Sequence, residues 1–244
     1  MKRSILKQLI KEQILNILKE EGTGSGGGQA AGNMELDKIT LPEAEAYLKK
    51  IGLNIPDFPK HLAMAKKLTA LGRTQRKDMP VINDDDVKEF QTRLKKGNLD
   101  IHKPFSKNTN EADPFPHGLS GFDAEEFLTN GLKDGSKNDD VIGVTIKQIA
   151  VKDLKPIQKQ IYFDKSMNAC AKDGIEKSKQ WLSSKTFFIT SSDNFIIDGH
   201  HRWMSGMLIS PDIQVNCLSV DLSISKLLPM AIAYGDAIGN KRNQ

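Results

Sequence analysis

Cysteine is nearly missing from this 244-residue chain. The two that occur, Cys170 and Cys217, cannot build a disulfide framework, and with no C-x-x-C pair they do not make a zinc site. Both are expected to pack as small hydrophobes in a reducing compartment. No apolar run approaches the roughly 20 residues that a membrane-spanning helix needs. The N-terminal segment is amphipathic and lacks both a continuous apolar stretch and a cleavage site, so no signal peptide is expected and the reading is cytoplasmic. Charge of one sign is scarce too: 35 Lys and Arg against 31 Asp and Glu leave a net +4, too mild to argue by itself for nucleic acid. Aromatic residues make up 6% and apolar residues 38%, low for a chain packed from end to end. Tails and linkers are therefore expected around one medium domain or two small ones.

What is present divides the chain into six stretches. Residues 1–21 read as an amphipathic helix, with Ile5, Leu6, Leu9, Ile10, Ile14, Ile17 and Leu18 at helical spacing. A glycine-rich tether follows over 22–33. An apolar stripe beyond such a tether can dock on a protein partner through residues 2–21, self-associate, lie on a membrane or fold back on the body. The stretch also resembles the short N-terminal helices of virion proteins of large tailed phages, which would make the protein virion-associated.

Residues 34–97 read as a helical region. Thr40 and Glu43 form a capping box, Pro59 opens a second helix, and Asp84-Asp85-Asp86 opens a third that Gly97 stops. The acidic triplet matches no calcium loop, so capping explains it better than a metal. Lys66, Lys67, Arg73, Arg76 and Lys77 cluster around the second turn, either as a solvated face or against a nucleic-acid backbone. Residues 98–143 read as a loop-rich, acidic linker or arm with one short helix near Asp123–Leu132. His102 and His117 stand there singly.

From 144 to 236 the pattern predicts α+β structure. Strands are expected over 144–146 and in an extended run from 149 to 156, with one helix from about Asp164 to Trp181. A hairpin pairs Thr186–Thr190 with Phe195–Ile197, a helix spans His200–Ile209, a strand Ile213–Leu222, and Ser223 caps a last helix. The tail, 237–244, reads as loose.

The run Asp198-Gly199-His200-His201-Arg202 is the most informative feature. It falls where a buried strand turns into a helix, which exposes backbone N–H groups and the positive end of the helix dipole to a phosphate. Gly199 permits close backbone approach. Arg202 can fork onto phosphate oxygens, and either histidine can donate to them or carry a proton. The plain alternative is a corner of solvated polar residues.

This motif, with Leu154-Lys155-Pro156-Ile157-Gln158 before it and the strand Ile213–Val220 after it, resembles the ParB/sulfiredoxin superfamily over about Val144–Leu222. The resemblance implies a mixed sheet with helices whose strand–turn–helix corner binds nucleotide phosphates. Asp-Gly-His-His-Arg is identical to the stretch carried by the ATP- or ADP-dependent free-serine kinases. Partition proteins use Glu-Arg-Arg there for CTP, and many relatives are described as ParB-like nucleases. Two departures matter. The sulfiredoxin cysteine position is His200, which argues against sulfinic-acid reduction, and Gln158 stands where the kinases carry a carboxylate.

On that resemblance Gly199, His200, His201 and Arg202 would hold the phosphates of ATP, ADP or CTP. Asp198 would either hold magnesium or accept the proton of an attacking hydroxyl, unless it merely caps the helix. His201 would neutralise charge on the moving group, and Gln158 or Gln160 would orient a water, hydroxyl or base. Lys155 or Lys165 would add a phosphate contact. Three functions follow: phosphotransfer to a small hydroxyl compound or a protein side chain, or nucleotide hydrolysis; a ParB-like nuclease or nucleotide-gated DNA-binding protein; and a virion component whose site has lost its chemistry.

Overall fold

A computed structural model describes residues 34–102, 119, 121–133, 139–184 and 187–242. The N-terminal helix and glycine-rich tether expected over 1–33 lie outside the described residues, as does His117.

The helical elements start and stop on local chemistry. Helix α1, Leu41–Lys50, follows Thr40, whose backbone N–H and hydroxyl both donate to Glu43 Oε2 at 2.8 and 2.7 Å. Helix α2, Phe58–Thr69, has proline in its first turn. Helix α3, Asp84–Lys96, is capped by Asn83 and Asp86, and ends on Gly97 at φ +63°. The acidic triplet is thus the first turn of a helix. Helix α4, Gly121–Thr129, is short and precedes a 3-10 turn over Gly131–Lys133.

Five strands form a mixed sheet in the order β1-β5-β3-β4-β2. Strand β1, Val144–Ala150, runs antiparallel to β5, Gln214–Val220, with Val144 opposite Val220. Strand β3, Phe187–Thr190, is parallel to β5 and forms a hairpin with β4, Phe195–Asp198. Strand β2 is only Lys155–Pro156 and lies parallel to β4.

Alternation along the strands builds two cores, one on each face of the sheet. Phe188, Ile196, Val215 and Cys217 belong to the first, with residues of α1, α2, α5 and α7. Ile189, Ile197, Leu218 and Val220 belong to the second, with residues of α3, α4 and α8. Here α5 is Phe163–Asp173, α6 Ile175–Ser184, α7 His200–Ile209 and α8 Ile224–Ala237. The helices of 34–97 therefore divide between the two faces.

Three local expectations need correction. The helix read over 164–181 is two helices, because Gly174 at φ +81° breaks it. The extended run from 149 ends at Ala150, and Val151–Asp153 form a 3-10 turn before β2. The tail is tied rather than loose over its described part: the Asn240 side-chain amide donates to the Val81 carbonyl and to Asp86 Oδ2, each at 2.9 Å. Among the described residues no helix is long and apolar enough to cross a membrane.

Both cysteines are free and buried, and burial pushes their thiols up, Cys217 to about 12. Helix α7 is anchored by Trp203, fully buried, whose indole N–H donates to the Val151 carbonyl at 3.1 Å. Trp203→Phe keeps most of the ring but leaves that carbonyl unpaired. It is expected to cost about 1–2 kcal/mol in urea unfolding, with little effect on the hairpin–helix corner itself.

Candidate functional site

The corner is built from the hairpin outward. Ile196 and Ile197 bury β4 on both faces and deliver Asp198 to the carboxyl end of the strand. Gly199 then turns the chain at φ +103°. A Cβ on Gly199 would lie 2.7 Å from Cδ1 of Phe188, itself fully buried, so only glycine passes this ring without displacement. Helix α7 begins at once, its first bond running from the Trp203 N–H to the Gly199 carbonyl at 2.8 Å. By helix geometry the first-turn N–H groups of α7 point out of its positive end.

Each motif side chain has a defined place. Arg202 is ion-paired with Asp198, one helical turn apart, and its guanidinium lies 5.7 Å over the Phe188 ring. His200 is buried, and its Nε2 accepts the Gln158 backbone N–H at 3.2 Å. His201 Nε2 accepts the Tyr162 N–H at 3.4 Å, and its ring stacks on Tyr162 at 6.1 Å and 22°. An Nε2 that accepts leaves the proton of each neutral ring on Nδ1.

Both imidazoles are held neutral. Burial, then His201 and Arg202, push His200 down to about 3. Burial, then Lys165 and Arg76, push His201 down to about 3. His201 at neutral pH is therefore a hydrogen-bond group rather than the charge-neutralising cation expected of it. The cations of the site are Arg202, Lys165 and Arg76.

Because β2 and β4 are parallel, the loop 157–162 leaves the sheet beside the 199–202 turn. Gln158 is buried, its side-chain amide donating to the Gln160 carbonyl. Gln160 Oε1 accepts the Arg76 N–H at 3.2 Å. Both glutamines thus brace the loop that holds the two histidines. The loop is walled on its far side by residues 72–76. Arg73 and Thr74 N–H groups both donate to the Ile157 carbonyl, at 2.8 and 3.1 Å, and the Lys159 N–H donates to the Thr74 carbonyl at 2.9 Å.

This third wall brings one residue of the basic cluster, Arg76, to the site, where its guanidinium lies 5.4 Å over the Tyr162 ring. Lys66 is spent on the Ile39 and Asp37 carbonyls. Of the two candidate lysines, Lys165 sits near His201, whereas Lys155 donates to the Asp193 carbonyl at 3.2 Å and covers the Phe195 ring. Tyr162 carried no functional signal in the sequence. Its contact with Arg76 joins segments more than 80 residues apart, and its contact with His201 brings in the motif helix.

The donor set suits an anion. Among the described residues no group of three His, Cys, Asp or Glu side chains could hold a metal ion. A magnesium ion taking one carboxylate and several phosphate oxygens would find only Asp198 here, and Arg202 already lies on that carboxylate. Protein-held metal does not fit; a phosphate held by N–H groups and cations does. No family model, curated protein or solved structure matches this chain.

Proposed function

We propose that the Asp198–Arg202 corner binds the phosphates of a nucleotide, ATP or ADP in the first place and CTP as the alternative, and supports phosphotransfer to a small hydroxyl compound or a protein side chain, or nucleotide hydrolysis. The observation that carries this reading is the run Asp-Gly-His-His-Arg at a strand–helix turn, with Gly199 at positive φ and the first-turn N–H groups beside the cations Arg76 and Lys165. Its likeness to the ParB/sulfiredoxin superfamily, and to the free-serine kinases within it, supports the same reading.

The residues divide the work as follows. Backbone N–H groups of His200, His201 and Arg202 take phosphate oxygens. A phosphate competes with Asp198 for the Arg202 guanidinium, and a bidentate Arg–phosphate pair is a strong one. Drawing Arg202 away frees the Asp198 carboxylate to accept the proton of an attacking hydroxyl or water. The His201 Nδ1–H serves as a neutral donor to the transferred group, which excludes an extra charge from a site already rich in cations. Gln158 and Gln160 act through the loop they brace.

A second reading, a nuclease or a nucleotide-gated DNA-binding protein, is favoured by the exposed Lys67, Arg73 and Lys77 near Arg76. The two separate in one assay set. Full-length protein is incubated with labelled ATP, ADP and CTP, with and without magnesium. Transfer or hydrolysis that falls tenfold or more in Asp198→Asn and His201→Ala supports the enzyme. Inert nucleotide together with salt-sensitive DNA binding or cleavage, lost when Lys67, Arg73 and Lys77 become Ala, supports the second. Lys66 is left intact because its ammonium holds two backbone carbonyls. Inertness in both assays with partner capture by residues 2–21 supports a virion component.

A further inference from the structure

Three groups from three separate stretches meet beside the motif. Arg76 comes from the segment after α2, Lys165 from the first turn of α5, and His201 from the first turn of α7. The Arg76 guanidinium lies 5.4 Å over the Tyr162 ring, and the His201 ring stacks on the same Tyr162 at 6.1 Å. Lys165 lies three residues beyond Tyr162 on the helix that follows it. Its ammonium is pushed below its ordinary value, first by partial desolvation and then by Arg76, so the two cations feel each other.

Neither cation has a carboxylate on it among the described residues. Asp164, next to Lys165 in the chain, is buried and accepts the Met34 N–H at 3.2 Å. Like charges gathered without a counter-charge are unfavourable until an anion lies across them. Arg76 and Lys165 both bear on His201 at the start of α7 and add two cations beside the Arg202 that a first phosphate would engage.

We propose that Arg76 and Lys165 form the outer half of the anion site, so that the site takes a chain of two or more linked phosphates in preference to a single phosphate. This rests on the reading of the Asp198–Arg202 corner as the inner half. The convergence of two cations from separate elements beside the start of α7 matches adjacent phosphates of one small molecule better than the spaced single phosphates of a nucleic-acid strand.

Calorimetric titration of the full chain with inorganic phosphate, pyrophosphate and tripolyphosphate tests it. Wild type is expected to bind tripolyphosphate at least about tenfold more tightly than phosphate. Arg76→Ala and Lys165→Ala are each expected to lose most of that gain and to hold phosphate within about twofold of wild type. Arg76→Gln keeps the side-chain stem on Tyr162, and the backbone bond to Gln160 survives in both Arg76 variants, so a fold defect is separable from a lost charge. Gly199→Ala is expected to lose all three ligands. If Gly199→Ala loses them while the Arg76 and Lys165 variants keep the full gain, the corner stands and the outer half is overturned. If Gly199→Ala binds phosphate as wild type does, the corner reading fails and the extension with it. If wild type binds all three anions equally, or if Arg76→Ala instead loses affinity for a DNA oligonucleotide, the proposal is overturned in favour of a nucleic-acid contact.

Discussion

Gly199→Ala is expected to weaken nucleotide binding on the order of a hundredfold and to lower stability by about 3 kcal/mol. Two separate penalties produce this. A backbone at φ +103° lies beyond the left-handed well that an L-residue tolerates, and the new methyl meets Phe188 Cδ1 at 2.7 Å. Phe188 is fully buried in the first core, so its ring has no free volume to move into. Relaxation must then come from the turn, which would shift the N–H groups at the start of α7 and misplace the phosphate donors. Phe188→Leu on the Gly199→Ala background separates the two penalties. The double variant is expected to be more stable than additivity allows by about 1 kcal/mol, because the clash is relieved while the backbone strain stays. Strict additivity in urea unfolding would show that the ring contact is not part of the cost.

The second large effect is expected from His200. Its Nε2 is the partner of the buried Gln158 N–H, so His200→Ala leaves that donor unpaired and opens a void, at a cost of about 3 kcal/mol at neutral pH. The same residue makes stability depend on pH. Its folded pKa is depressed to about 3 from the ordinary 6.5, with burial first and the neighbouring His201 and Arg202 next among the causes. Between those values the unfolded chain binds a proton that the folded chain refuses. The contribution is therefore complete above about pH 6.5 and is lost as the pH falls toward 3, at about 1 kcal/mol per pH unit. His201 adds a parallel loss. His200→Gln supplies an amide oxygen that can accept the Gln158 N–H without titrating. Urea midpoints measured at pH 7, 6, 5 and 4 should fall less steeply for His200→Gln than for wild type, by about one proton's worth. Carboxylates titrate in both proteins and cancel in the difference, so parallel slopes would mean that His200 is not held neutral.

Much of the corner was legible in the chain. The helix bounds His200–Ile209 follow from an apolar strand, a glycine and the spacing of Trp203, Met204, Met207 and Leu208, and the described helix has those bounds. The capping box at Thr40 was legible because its chemistry spans three residues, and the acidic start of the third helix was read at Asp84 without the Asn83 cap that precedes it. The mixed α+β character was legible as well. What escaped was non-local or depended on one backbone angle. Gly174 sits within an acceptable helical pattern, and only its positive φ turns one expected helix into two. The Asn240 amide reaches Val81 and Asp86 across some 150 residues, which no window of the tail could announce. Arg76 was visible as a member of a basic cluster, but its arrival over Tyr162 depends on residues 72–76 pairing with 157–160. The protonation of the histidines was equally hidden, since it follows from what buries them.

The central claim is that the backbone at the turn from β4 into α7 receives phosphate. Amide chemical-shift mapping of the isotope-labelled full chain, titrated with ATP or with pyrophosphate, addresses it directly. The expected result is that the amides of Gly199, His200, His201 and Arg202 shift first and saturate together, with those of Tyr162 and Arg76 following. Shifts confined to another surface, with these amides unmoved at saturating ligand, would contradict it.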